Sequence, residues 1–332
     1  MRWQRKAAIQ RWLSRLPAPL GDALYFAIQR TFGRVQESSP FPQLRGAARI
    51  IDLLAMQQRS VEGRTILEVG TGRSLGLPLG FWLCGAERLV TVDLNPLLSD
   101  AMVRSDLAKL RAKPEELRAI FGTRADARFE DRLARLLTAQ SLADVLRIAN
   151  IEYLAPADAS ALRLSDGSID YHVSFTVLEH IPADVLRAIL VEGRRLLRAD
   201  GLFAHMVDLS DHFAHADRSI NGINFLRFTE REWQHYAGNR FMYMNRLRVH
   251  EVLQIFEQAG VKIVHAEPFV SEKSLELLRA GFPLDERFRG NDDTTNATLR
   301  VDVVGRRRSR RVFESQSLRG APRDRRFQTL RL

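Results

Sequence analysis

The sequence predicts an α/β protein with a parallel-rich, doubly wound sheet covered by helices on both faces. Three observations carry this. From residue 65 onward, short strand-like runs alternate with amphipathic helical stretches, the pattern of a sheet built from strand–helix–strand units. The first strand runs directly into a glycine-rich turn, Val69-Gly70-Thr71-Gly72, and in open parallel sheets the ligand crevice lies beyond such strand ends. The chain has 332 residues, 45% hydrophobic and 27% charged, which is enough to enclose a large core and excludes wholesale disorder.

The elements follow in order. Residues 1–16 (MRWQRKAAIQRWLSRL) place Ile9, Trp12, Leu13 and Leu16 at helical spacing among five basic side chains. Three readings stay open: a basic helix on a membrane surface, a mitochondrial presequence, or a helix packed on the body with solvated arginines. A second helical stretch spans about Asp22–Phe32, and Ser38–Pro42 reads as a loop. Gly46–Gln58 reads as a helix with Ile50, Leu53 and Leu54 on one side.

Thr65–Val69 and Arg88–Asp93 are the first two strands. Residues 100–149 are helical and charged, with inward leucines expected at 107, 110, 117, 133, 136 and 137. Ile151–Leu154 and Ile169–Phe175 are strands, and Ala183–Leu197 is an amphipathic helix broken by Asp200-Gly201. Leu202–Val207 follows, then the helix Asn245–Ala259 with Gly260 as its C-cap. The last strands are expected at Lys262–His265 and Leu299–Val304. Domain organisation is expected as an N-terminal helical extension (1–60), a main domain (61–305) with insertions at 100–149 and 209–248, and a basic flexible tail (306–332).

Composition narrows the function. Cys84 is the single cysteine, so an internal disulfide and a cysteine-built zinc site are excluded. The longest nearly apolar run, Leu75–Ala86, is 12 residues and too short to span a bilayer. No secretory signal is expected, and the chain is placed in the cytoplasm. Net charge is +10, distributed as +7 over residues 1–60, +8 over 299–332 and −5 over the rest. Basic ends suit an acidic surface, either anionic lipid or RNA.

The informative stretch is Glu68-Val69-Gly70-Thr71-Gly72-Arg73-Ser74. Gly70 and Gly72 permit a sharp turn and close approach of a ligand to the backbone. A dinucleotide site would want glycine at position 75, where leucine stands, and a pyrophosphate would sit badly beside Glu68. S-adenosylmethionine has no phosphate and carries an amino group and a sulfonium, which an acidic residue suits.

Glu68–Gly72 resembles the first motif, [DE]-x-G-x-G, of the class I S-adenosylmethionine-dependent methyltransferases. Further matches come in chain order. Asp93 ends the second strand, where the family places an acid on the ribose hydroxyls, with Leu94 beside it. Asp158-Ala159 resembles the turn that meets the adenine. Ser168–Asp170 through Val177–Ile181 resembles the fourth-strand motif of the broad small-molecule branch, with Phe175 at its end. Ser74 departs from the third glycine of many members. The resemblance spans roughly residues 45–305. It implies a Rossmann-like, seven-stranded sheet with the last strand antiparallel, S-adenosylmethionine as cofactor, and Glu68, Gly70, Thr71, Gly72, Asp93, Leu94, Asp158, Ala159 and Phe175 around it.

Acceptor chemistry is expected after the fourth and fifth strands. His180 is a candidate base, because imidazole titrates near neutrality; the open alternative, implied by the resemblance, is that Glu179-His180 only shapes the cofactor pocket. Asp211-His212 is a second candidate, the carboxylate orienting the ring. Asp208, Asp211, His212 and His215 form a mixed set able to bind a divalent ion, but no metal is assigned. Residues 220–248 carry Asn224, Tyr243, Asn245 and Arg248 as candidate acceptor ligands.

The leading reading is O-methylation of a small-molecule or glycan acceptor, with peripheral contact to anionic membrane through the basic N-terminus. An RNA methyltransferase using the basic termini is the alternative, although no appended RNA-binding fold or base-methylating motif is present. A non-catalytic scaffold retaining the fold is the third reading, opposed by the intact motif residues.

Overall fold

The computed structural model describes residues 2–17, 20–21, 24–25, 28 and 39–308. The helical stretch expected near 22–32 falls largely outside them, as does the tail beyond 308.

The described residues form a seven-stranded sheet of order β3-β2-β1-β4-β5-β7-β6. Its strands are β1 (Thr65–Val69), β2 (Arg88–Val92), β3 (Ile151–Leu154), β4 (Ile169–Phe175), β5 (Leu197–Asp208), β6 (Val261–Val270) and β7 (Thr298–Arg307). β1 to β5 pair in parallel, and β7 runs antiparallel to both β5 and β6. The Rossmann-like, doubly wound expectation holds.

Helix α1 (Trp3–Ser14) precedes α2 (Phe41–Met56), α3 (Gly76–Leu83), α4 (Asp100–Ala112) and α5 (Pro114–Phe121). Next come α6 (Ala127–Leu136), α7 (Leu142–Ile148), α8 (Ala183–Leu196), α9 (Glu230–Ala237) and α10 (Val249–Gln258), then α11 (Glu272–Arg279), α12 (Glu286–Arg289) and α13 (Asp293–Ala297).

Strand periodicity splits the core between the two faces. Ile66 and Leu89 face α2, α3 and the α4–α7 insertion, while Leu67 and Val90 face Leu186, Leu190 and Phe256 of α8 and α10. Each fully buried leucine or isoleucine contributes about 1.5–3 kcal/mol. In the insertion, Ser99, Asp126 and Ser141 cap α4, α6 and α7 by accepting main-chain N–H groups, which satisfies helix ends that have no partner of their own. Leu107, Leu110, Leu117, Leu133 and Leu136 are buried as expected, and Leu137 is half-buried.

Several boundaries differ from expectation. α2 begins at Phe41, five residues before the expected start, with Pro42 in its first turn, where the missing N–H is not needed. Asp200-Gly201 does not break α8: the helix has ended and β5 has begun by Leu197, which pairs with Ile169. β6 and β7 are also longer than expected, because their antiparallel pairing continues through polar residues such as Glu267 and Arg300. Arg306 and Arg307, expected in the tail, are strand residues.

A third cluster caps the carboxyl end of the sheet. Phe213, Phe225, Leu226, Trp233, Met242 and Phe288 pack there with Trp3 and Ala7 of α1. The Trp3 ring lies 4.8 Å from Tyr236 and 5.4 Å from Phe213, and the Trp3 main-chain N–H donates to Asp217 Oδ2 at 2.7 Å. Of the three readings of residues 1–16, packing on the body therefore describes the inward face. Trp12 stays exposed beside Arg5 and Arg15. No helix among the described residues is long and apolar enough to cross a membrane.

Candidate active site

The cofactor side is built on the turn after β1. Gly70 and Gly72 adopt φ of +87° and +61°. A Cβ on Gly70 would approach the Val177 side chain to 2.5 Å, whereas one on Gly72 would meet none of the described residues within 4 Å. One glycine therefore closes on the β4 turn, and the other leaves its face open. Gly72 N–H donates to Asp93 Oδ2 at 2.9 Å, and Asn95 N–H donates to Asp93 Oδ1 at 2.9 Å.

Asp93 also joins the next loop, its carbonyl accepting from Ala157 N–H at 2.9 Å. That brings Asp158, exposed and holding Ser160 N–H at 2.8 Å, and the buried Ala159 to the same rim. Leu94, beside Asp93, is 64% exposed. An exposed aliphatic side chain beside an acid suits a nucleoside, with its apolar base and paired hydroxyls.

Glu68 is buried and accepts from Thr91 Oγ1. Thr91 in turn lies 2.5 Å from Thr71 Oγ1. Thr71, expected on the cofactor, thus turns its hydroxyl inward, leaving only its main chain at the rim. Burial pushes the Glu68 carboxyl up to about 8, with the Thr91 hydroxyl working against it and the Asp93 charge with it. A cationic group brought here would favour the ionised carboxylate. This open, acid-lined crevice fits S-adenosylmethionine.

Behind it, Ser74 donates to Asp106 Oδ2 at 2.8 Å and accepts from Gly76 N–H at 3.1 Å. The serine in place of a third glycine is thus the anchor of this turn on α4. Burial pushes Asp106 up to about 6, with Ser74 opposing. Phe175 ends β4 with its ring against Gly46 of α2, where a Cβ would come within 2.6 Å. This ring is turned to the helix.

The acceptor side forms where β4 and β5 end. Leu178–His180 is a single 3-10 turn. His180 is exposed and its Nδ1–H donates to the Tyr243 carbonyl at 2.8 Å, which leaves Nε2 with its lone pair. Desolvation by the surrounding cap, and then the neighbouring His212, pull this imidazole below its ordinary value, against the Tyr243 hydrogen bond. Asn245 Nδ2 donates to the Leu178 and Ile181 carbonyls, each at 2.9 Å, so this residue fixes the turn that carries His180.

His212 Nε2 lies 3.3 Å from Asp208 Oδ2 and 3.9 Å from Glu179 Oε1. Burial works against ionised Asp208, but His212 and Ser210 outweigh it and hold the carboxyl at about 2.

Three expectations are corrected by burial. Asp211 does not orient His212. Its side chain points into the cap, accepting from Phe213 N–H at 2.8 Å and Asn224 Nδ2 at 3.1 Å, and burial raises it to about 6, with Asn224 opposing. Asp208, four residues before His212, takes the orienting place. Asn224 is buried against Asp211 and is not available to an acceptor. Arg248 is wholly buried and donates to the Leu209 carbonyl at 2.6 Å and the Thr298 carbonyl at 3.2 Å; it ties the end of β5 to β7. Tyr243 is half-buried and reaches the site through its main chain.

Thr91 and Asp106 are not singled out in the sequence. Asp106 carries a readable signal, a polar residue at helical spacing with Val103, Leu107 and Leu110. Val177 stands in the motif after the fourth strand, but its contact with Gly70 is visible only in the turn geometry.

A family model described as a methyltransferase domain matches residues 126–205, from α6 to the middle of β5. No curated protein matches the chain. Among solved structures, the chain is similar to an S-adenosylmethionine-dependent methyltransferase from Mesorhizobium loti, with 18% identity and a TM-score of 0.41 over 80% of this chain and 100% of that one. It is similar to geranyl diphosphate C-methyltransferase from Streptomyces coelicolor A3(2), with 11% identity and a TM-score of 0.43 over 79% and 80%. A TehB-like methyltransferase from Corynebacterium glutamicum is 16% identical, with a TM-score of 0.37 over 79% and 88%.

Proposed function

We propose that this chain, a class I S-adenosylmethionine-dependent methyltransferase, methylates a hydroxyl group of a small-molecule or glycan acceptor. When bound, the cofactor supplies a methyl group on a sulfonium, and the carbon–sulfur bond breaks as the acceptor oxygen–carbon bond forms. Gly72, Asp93, Leu94 and the Asp158-Ala159 turn would hold it, Glu68 supplying negative charge from beneath.

The observation that carries the hydroxyl reading is the His180–Tyr243 hydrogen bond. It fixes one tautomer, and the lowered imidazole value keeps the ring neutral near pH 7. Nε2 is then a ready acceptor for the proton that a hydroxyl loses. Asn245 is a positioning residue, since it holds the turn beneath His180.

The test has two stages. Calorimetric titration with S-adenosylmethionine and S-adenosylhomocysteine, with NAD as control, should give micromolar binding of the first two only. Sugar, phenol and RNA acceptors are then screened for methyl incorporation. Incorporation only into RNA, or only at nitrogen or carbon, would sink the hydroxyl reading.

Arg5 and exposed Trp12 on the outward face of α1, with Arg2 and Arg15 flanking the helix, support a cytoplasmic protein working at an anionic membrane surface. Co-sedimentation with phosphatidylglycerol vesicles, lost when the three arginines become glutamate, is the expected result. Equal binding by the variant removes this placement.

A further inference from the structure

We propose that Asp208, His212 and His215, with Glu179 as fourth donor, form a binding site for one divalent transition-metal ion. β5 ends at Asp208, and the following turn is folded tightly, Ala214 N–H donating to the Asp211 carbonyl at 2.9 Å. That winding carries His212 and His215 to one side, with rings stacked 4.8 Å apart. Asp208 Oδ2 lies 3.3 Å from His212 Nε2 and 3.7 Å from His215 Nε2. Two imidazole nitrogens and one carboxylate oxygen thus converge within 4.8 Å of one another.

A second observation comes from another strand. Glu179, in the turn after β4, is 1% exposed, and neither of its carboxylate oxygens has a hydrogen-bond partner among the described residues. Oε1 lies 3.9 Å from His212 Nε2. A buried carboxylate without a donor is unfavourable unless something cationic answers it. Four donors each about 2.1 Å from one ion stand roughly 3.4 Å apart in a tetrahedron, and the Asp208–His212, Asp208–His215 and Glu179–His212 separations of 3.3, 3.7 and 3.9 Å are of that order. Glu179, which reaches His212, would join the set by moving towards Asp208 and His215 when an ion binds.

Two further contacts bear on the site. Ser210 N–H donates to Asp208 Oδ1 at 2.8 Å, which orients the carboxylate as outer partners of metal ligands do. The Ser210 hydroxyl lies 3.1 Å from His215 Nε2 and would turn aside. Two imidazoles with carboxylates select Zn2+, Co2+ or Mn2+ over Mg2+ and Ca2+, which prefer all-oxygen sets. The His215 side chain is 56% exposed, so an ion can enter from solvent. Asp211 takes no part, since its carboxylate faces the cap.

The inference stands apart from the methyl-transfer reading, and its test reads metal uptake. Tag-free full-length protein is stripped with chelator and titrated with Zn2+ by calorimetry, and separately with Co2+ by absorption spectroscopy. One equivalent of Zn2+ should bind at micromolar affinity or tighter, with Co2+ giving visible d–d bands and millimolar Mg2+ failing to compete. Asp208→Asn and His215→Ala should each weaken binding at least tenfold; the half-exposed His215 leaves folding intact, which circular dichroism checks. No uptake of either ion, or uptake that His215→Ala leaves unchanged, overturns the proposal.

Discussion

His180 Nδ1 and the Tyr243 main-chain oxygen lie 2.8 Å apart, so one hydrogen bond joins the turn after β4 to the cap over the acceptor side. Losing the ring should separate chemistry from cofactor binding. His180→Ala is expected to lower kcat by about 10²–10⁴ while calorimetric affinity for S-adenosylhomocysteine stays within twofold. Asn245→Ala should give a smaller kcat loss and a shifted pH–rate profile, because the ring is present but loosely held. Unchanged kcat in His180→Ala would move the proton elsewhere.

Gly70 and Gly72 should respond differently to alanine. Gly70→Ala places a methyl group 2.5 Å from Val177 at a positive φ, and should destabilise the protein by about 1–3 kcal/mol with loss of cofactor binding. Adding Val177→Ala should recover part of both. Gly72→Ala has room and meets only the backbone penalty. Thermal melts with and without S-adenosylhomocysteine measure all three variants.

Asp93→Ala removes the acceptor of two main-chain N–H groups as well as the acid at the nucleoside rim. Cofactor affinity should fall by the equivalent of about 1–3 kcal/mol. Calorimetry giving an unchanged affinity would remove Asp93 from the cofactor site.

Arg248 should behave as a stability residue. Arg248→Met leaves the Leu209 and Thr298 carbonyls without their buried donor and should cost about 2–4 kcal/mol by urea unfolding. Acceptor KM should barely change in whatever fraction remains folded. A raised KM with intact stability would return Arg248 to the acceptor.

His172 and His205 face each other inside the sheet, with Nδ1 and Nε2 3.2 Å apart. Burial lowers His172 to about 3 and holds His205 well below its ordinary value. The unfolded rings take up protons below about pH 6.5 and the folded ones do not, so stability is complete above that pH and falls as pH drops towards 3. Each ring contributes a slope of about 1.4 kcal/mol per pH unit. Urea unfolding of wild type against His172→Leu between pH 6.5 and 5 should show a shallower slope in the variant; parallel slopes would refute the assignment.

The fold was legible because its strands are short and apolar and sit between periodic helices. Ile66, Leu67, Val90 and Val173 announce a two-faced sheet without any tertiary information. The cofactor rim was legible too, since Glu68, Gly70, Gly72 and Asp93 stand at turns next to strands. The acceptor side was harder to read. Asp211 and His212 are neighbours in sequence, yet the turn sends one side chain into the cap and the other to the site, while Asp208 reaches His212 from four residues away. Arg248 looked like an anion ligand because nothing in the sequence reveals that its charge is enclosed. Such directions depend on how one turn is wound, and residue type carries no record of that.

Trp3 has a kinetic consequence. It and its partner Asp217 are 214 positions apart, and joining ends so distant carries a loop-closure cost of about 5 kcal/mol. At roughly 5–20 residues per second of synthesis, Trp3 waits about 10–40 s for Asp217 to exist. By then β1 to β5 are already made and able to pair. The strands that bear the nucleoside crevice thus exist before the residue that seats Trp3, and the enclosure over the acceptor cannot close until α1 returns to that seat.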